Sequence, residues 1–81
     1  GWRATVRIPD NNGETAKMTD LILKRGWGIM ALGSVRTPKM SDKWDVVIKV
    51  YGCEKDELVT ALKTLEGQEL IDIRESTVFA T

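Results

Sequence analysis

Residues 44–67 read WDVVIKVYGCEKDELVTALKTLEG, and their hydrophobic period changes partway along. From Trp44 to Tyr51, Val46, Ile48 and Val50 fall on one side while Asp45 and Lys49 fall on the other. That period of two belongs to a half-buried strand. From Glu54 to Glu66, Leu58, Ala61, Leu62 and Leu65 recur at i, i+3, i+4 and i+7, which predicts an amphipathic helix closed by Gly67. Residues 69–75, ELIDIRE, predict a further strand, with residues 76–81 fraying or extending it. Strand, helix and strand in that order make a crossover, which joins parallel strands in a right-handed sense.

A second crossover lies upstream. Residues 4–8, ATVRI, alternate Ala4, Val6 and Ile8 against Thr5 and Arg7, and predict a strand. The polar elbow IPDNNG, residues 8–13, leads into a helix over Glu14 to Arg25, where Met18, Leu21 and Ile22 fall at helical spacing. Asn11 and Glu14 stand three apart, as N-cap and N3 of a capping-box-like start. Gly26 is the expected stop. Gly28 to Arg36 predicts the second strand, and residues 37–42, TPKMSD, a loop. The order βαββαβ predicts an α+β, ferredoxin-like sandwich: a four-stranded antiparallel sheet with two helices on one face. The second strand is then an edge, the first and third are central, and Val6, Ile48, Leu58, Leu62 and Leu65 are the expected core.

Eighty-one residues with a 42% hydrophobic fraction suit one small domain, read as 1–81 with its core over about 3–75. A start at Gly1 rather than methionine leads to the expectation of a piece excised from a larger protein. Twelve basic residues balance twelve acidic ones, which argues against a general binder of nucleic acid or anionic membrane. No apolar run approaches the roughly 20 residues that span a bilayer, so no membrane partner is expected. Cys53 is the single cysteine. It makes no internal disulfide and shares no metal, and it fits an ordinary thiol in a reducing, cytoplasmic setting.

Catalytic readings fail early. With no histidine in the chain there is no Ser/His or Cys/His pair to activate a nucleophile. The carboxylates of Glu54, Asp56, Glu57 and Glu66 read as a solvated helix face. Neither a phosphate-cradling loop nor a dinucleotide-binding glycine pattern occurs. No catalytic residue, cofactor or metal is therefore assigned. Arg3, Arg7, Lys49 and Arg74 could gather on the open sheet face, but the central strands offer at most Tyr51 for base stacking. Cross-strand pairing with Asp45 and Asp72, on the flanking strands, accounts for Arg3 and Arg7 without RNA.

The second strand is more informative. Residues 26–35, GWGIMALGSV, carry no charge, whereas an exposed edge normally carries a lysine, a proline or another guard. This edge is expected to pair with a second copy of itself through Trp27, Ile29, Met30, Ala31, Leu32 and Ser34. The milder alternative is an edge shortened by Gly28 and Gly33. Trp2 reads as a terminal anchor and Trp44 as packing at a sheet end.

Residues 6–18, VRIPDNNGETAKM, followed by residues 24–30, KRGWGIM, resemble an ACT domain. That family's pattern is a strand, Asp-x-Pro-Gly opening a helix, then a glycine turn into Asn-Ile on the second strand. The resemblance runs from Arg3 to about Glu75. Within the family the chain is most similar to ACT domains that follow a pair of CBS domains in bacterial proteins. The resemblance implies a regulatory module that dimerises through the second strand and first helix. It also implies a small-molecule effector, often an amino acid, held at that interface, and CBS-type domains attached in the full-length protein. Carried over by position, the ligand-binding residues are Asp10, Asn11, Asn12 and Gly13 at the elbow, with Gly28, Ile29 and Met30 facing them. Asn12 stands where the family often has proline, and Gly28 where many amino-acid-binding members have asparagine. Two readings stay open: an effector site, or a ligand-free dimerising module whose elbow is only a helix start.

Overall fold

The computed structural model describes residues 1–11, 13–36 and 42–76. Its elements run β1 (Trp2–Pro9), α1 (Glu14–Lys24), β2 (Gly28–Arg36), β3 (Lys43–Tyr51), α2 (Lys55–Leu62) and β4 (Glu69–Glu75). The four strands form one antiparallel sheet in the order β2-β3-β1-β4. This is the expected split βαβ arrangement, with β1 and β3 central and β2 and β4 at the edges. The residues 37–41 and 77–81 of the expected loop and tail lie outside the described residues, as does Asn12.

Alternation decides which face of the sheet is covered. Ala4, Val6 and Ile8 on β1 lie opposite Ile48, Val46 and Trp44 on β3, and all but Trp44 are buried with Val50. Above them α1 contributes Met18 and Ile22, and α2 contributes Leu58, Ala61 and Leu62. Leu65, expected in the core, is half-buried and packs against its margin. Trp2 closes the end of the core, its indole Nε1 donating to the Cys53 carbonyl at 3.1 Å. Among the described residues no helix is long and apolar enough to cross a membrane.

The helix ends differ from expectation in physical detail. The N-cap of α1 is Gly13 at φ 89°, with no side-chain cap, rather than Asn11. Only glycine takes that left-handed conformation freely. Its carbonyl accepts the Lys17 N–H at 3.0 Å, and Asn11 contributes its backbone carbonyl, which accepts the Glu14 N–H at 3.4 Å. At the other end the Gly26 and Trp27 N–H groups return to the Leu23 and Ile22 carbonyls, the paired bonds of a Schellman motif. The second helix carries the capping box that was expected on the first: the Glu54 N–H donates to the Glu57 side chain at 2.9 Å. It also ends at Leu62 instead of Glu66, because Thr64 and Leu65 bond three residues back, to Ala61 and Leu62. Those tighter turns bring Leu65 to the core margin.

Leu58 is fully buried on the inner face of α2. Leu58→Ala should therefore cost about 2–5 kcal/mol by denaturant unfolding. Ile71→Ala, at a residue 41% exposed on β4, should stay within about 0.5 kcal/mol.

Candidate functional site

The elbow forms where β1 runs out. Pro9 is the last paired residue, opposite Lys43, and the Asp10 N–H extends the ladder by one bond to the Asp42 carbonyl at 2.9 Å. The chain then turns through Gly13 into α1. Between the elbow and the sheet lies a cavity of about 200 Å³. Pro9, Asp10 and Asn11 form its rim, Thr15 projects from the first turn of α1, and Ser34 and Trp44 stand on the neighbouring strands. Ile8 and Val46 give it an apolar floor. Among the described residues no side chain caps the N-terminus of α1, so its first-turn N–H groups beyond that of Glu14 are suited to an anionic group.

The helix start is fixed from below by Glu14, one of the most enclosed charged residues. Its Oε2 accepts from Lys17 Nζ at 2.9 Å. Gln68 Nε2, from the segment leading into β4, donates to both the Glu14 backbone carbonyl at 2.8 Å and Oε1 at 3.1 Å. These hydrogen bonds, that of Lys17 first, hold the Glu14 carboxyl below the usual carboxylate range against the opposing effect of burial. The Gln68 Oε1 is itself buried, with no hydrogen-bond partner among the described residues.

The residues predicted from sequence separate into two places. Asp10 and Asn11 line the cavity, and Gly13 is the N-cap beside it. Gly28, Ile29 and Met30 lie at the far end of β2, where Gly28 is opposite Tyr51 and Ile29 opposite Val50. Eight residues of strand at about 3.3 Å each separate Gly28 from the end beside the elbow. Within one chain the two halves of the predicted site therefore do not meet. Thr15 and Trp44 on the cavity wall were not singled out as ligand contacts. Thr15 sits within the helix-start pattern, and only the β1–β3 register brings Trp44 opposite Ile8.

Gly28 has its own packing reason. A Cβ built there would fall on the Tyr51 ring, so the ring covers the glycine and leaves no room for a side chain.

The two sheet edges are unequal. On β4, Glu69, Asp72, Arg74 and Glu75 carry charge, and a register shift leaves Ile71 unpaired with β1. Both devices discourage a further strand. On β2 the residues before Arg36 are uncharged, with Met30, Leu32 and Val35 exposed at 43%, 48% and 62%. A bulge at Met30 interrupts the pairing with β3, and from Ala31 onward the ladder is regular. Leu23 on α1 is also exposed, at 56%.

On the open face, Arg7 pairs with Asp45 through two bonds, Nε to Oδ1 at 2.9 Å and Nη2 to Oδ2 at 3.2 Å. Asp72 meets Arg74 on its own strand at 2.8 Å, not Arg3 or Arg7 as expected. Cys53 is half-buried, and desolvation first, then Glu57 and Glu54, raise its thiol pKa. Among the described residues no group of three or more His, Cys, Asp or Glu could hold a metal ion.

No protein-family model and no curated protein matches the chain. Several solved structures do resemble it. Protein BT0572 from Bacteroides thetaiotaomicron aligns with a TM-score of 0.66 and 20% identity, over 85% of this chain and 44% of that one. The regulatory subunit of aspartate kinase from Thermus thermophilus, in a ligand-free form, aligns with a TM-score of 0.59 and 25% identity, over 93% and 55%. A formyltetrahydrofolate deformylase from Pseudomonas putida KT2440 aligns with a TM-score of 0.62 and 12% identity, over 93% and 28%. The chain therefore spans between 28% and 55% of these three chains. The likeness gives it an ACT-like fold.

The anchoring of Glu14 predicts an acid response. A carboxyl held low contributes stability that is present above its unfolded pKa, about 4.3, and is lost as pH falls through the folded value. The melting temperature of Glu14→Gln should consequently fall less than that of the native chain as the pH is taken below about 4.3. Parallel acid limbs would show that Glu14 carries no such linkage.

Proposed function

We propose that this chain is a non-catalytic regulatory module that binds a small carboxylate-bearing effector, such as an amino acid, between two copies of itself. The observation that supports this most directly is the position of the elbow cavity. Its wall includes Ser34, near the C-terminal end of the uncharged edge strand β2. Antiparallel pairing of β2 with a second β2 brings the N-terminal end of one strand beside the C-terminal end of the other. Gly28, Ile29 and Met30 of one copy would then face Asp10, Asn11, Asn12 and Gly13 of the next, joining the two halves that a single chain holds apart. Trp27, Ala31, Leu32 and Ser34 lie along the same seam, and the exposed Leu23 of α1 adds apolar surface beside it.

In this reading the effector's carboxylate meets the uncapped first turn of α1. Its remaining polar group meets Asp10, Thr15 or an elbow amide, and its apolar part rests on Ile8, Val46 and Trp44. Coupling to an attached domain follows, because an effector that binds only the paired state shifts the chain toward pairing. The resemblance to ACT domains behind CBS-domain pairs supports such a pair as the attached domain. The alternative, a dimerising module without a ligand, shares the seam and leaves the cavity empty.

One experiment separates them. The chain is screened by thermal shift against free amino acids and related carboxylates, hits are measured by calorimetry, and assembly is followed by sedimentation. Leu32→Lys should weaken the dimer and lower effector affinity together. Asn12→Ala should lose affinity by about 1–3 kcal/mol while the dimer persists. A dimer that no small molecule stabilises would leave the dimerising module. Effector binding to a monomer, unchanged in Leu32→Lys, would remove the shared site.

A further inference from the structure

The open face of the sheet carries a second feature at the other end of β1, which shares Met30 with the proposed seam. Arg3 lies opposite Lys49 on one side and Arg74 on the other, so three cations stand in a row across β3, β1 and β4. With strands about 4.8 Å apart, their Cα atoms fall within about 10 Å. Like charges directly opposite each other on a sheet are unfavourable. The row nearer the elbow is built the other way, with Arg7 between Asp45 and Glu69. In the cationic row Arg74 has a carboxylate, that of Asp72. Among the described residues neither Arg3 nor Lys49 makes an ion pair.

An apolar corner adjoins the row. Tyr51, two residues along β3 from Lys49, is half exposed with its ring over Gly28. With Met30 and Lys49 it borders a shallow cavity of about 60 Å³.

We propose that this corner binds a small phosphorylated ligand, with the phosphate on Arg3 and Lys49 beside Arg74 and the organic part against Tyr51 and Met30. Charge favours phosphate over carboxylate. With Arg74 offset by Asp72, Arg3 and Lys49 present two positive charges, matching the roughly −1.5 to −2 of a phosphomonoester at neutral pH. The guanidinium fork of Arg3 suits two phosphate oxygens at once. The shallow cavity and the tyrosine face together offer an apolar surface against which a ring can lie.

The test is calorimetry on the 81-residue chain with phenyl phosphate, inorganic phosphate, benzoate and a short single-stranded RNA as probes. Phenyl phosphate should bind most tightly, inorganic phosphate more weakly, and benzoate weakest. Arg3→Gln should lose about tenfold or more in phenyl phosphate affinity, the scale of one lost charge-assisted bond. Its unliganded melting temperature should hold or rise, since a like-charge contact is relieved. Asp72→Asn should tighten binding by releasing Arg74, and Lys63→Gln, the same charge loss at the C-cap of α2, should leave it unchanged. Absence of phenyl phosphate binding would overturn the proposal, as would undiminished binding in Arg3→Gln. Binding confined to single-stranded RNA would replace it with a nucleic-acid surface.

Discussion

The fold rests on one ladder, the antiparallel pairing of β1 with β3. Ala4, Val6 and Ile8 meet Ile48, Val46 and Trp44 in a register that turns three consecutive inward residues of each strand toward the helices. A slip of one residue would send Arg3, Thr5 and Arg7 inward and the core outward. Fixing this pair at the centre leaves only edge positions for the strands at the far ends of the crossovers. It also sets where β1 stops, and hence where the elbow and its cavity form. The open-face arrangement of Arg7 with Asp45, and of Arg3 with Lys49, follows from the same register.

From that constraint the two edges diverge in character. Each edge has one irregularity, at Ile71 on β4 and at Met30 on β2, but β4 is also guarded by charge, while β2 is uncharged from Gly28 to Val35. A sheet with one protected and one unprotected edge has a single direction in which to grow. The elbow cavity lies at the end of the unprotected edge, and that coincidence turns a packing question into a functional one. Net charge, zero over the whole chain, conceals a similar division on one face, between a row in which Arg7 is paired with Asp45 and a cationic row in which, among the described residues, Arg74 is paired and Arg3 and Lys49 are not.

Most of the architecture was legible because it depends on periodicity. The alternation of Val46, Ile48 and Val50 and the helical spacing of Leu58, Ala61 and Leu62 each named their element and buried face. Helix ends were less legible because caps compete locally. Asn11 has the side chain of a cap, yet Gly13 takes the position, since a left-handed turn is needed to leave β1. The Glu14 side chain is drawn away by Gln68, 54 residues distant, a contact that no local spacing reveals. Leu65 keeps the helical period although the hydrogen bonds beneath it have tightened. Of the candidate site, Asp10 and Asn11 could be named from the elbow's composition. Trp44 could not, because its place on the wall depends on strand register, and the covering of Gly28 by Tyr51 depends on a cross-strand pair.

The central claim is that the bare edge β2 pairs with its counterpart in a second chain and so completes the elbow site. Isotope-filtered nuclear Overhauser spectroscopy on an equal mixture of labelled and unlabelled chain tests this directly at 9.1 kDa per copy. The account predicts intermolecular contacts from Ala31 through Val35 of one copy to the same segment of the other, with Gly28 to Met30 approaching the partner's elbow. Intermolecular contacts arising from β4, or none at concentrations well above those of a stable dimer, would contradict it.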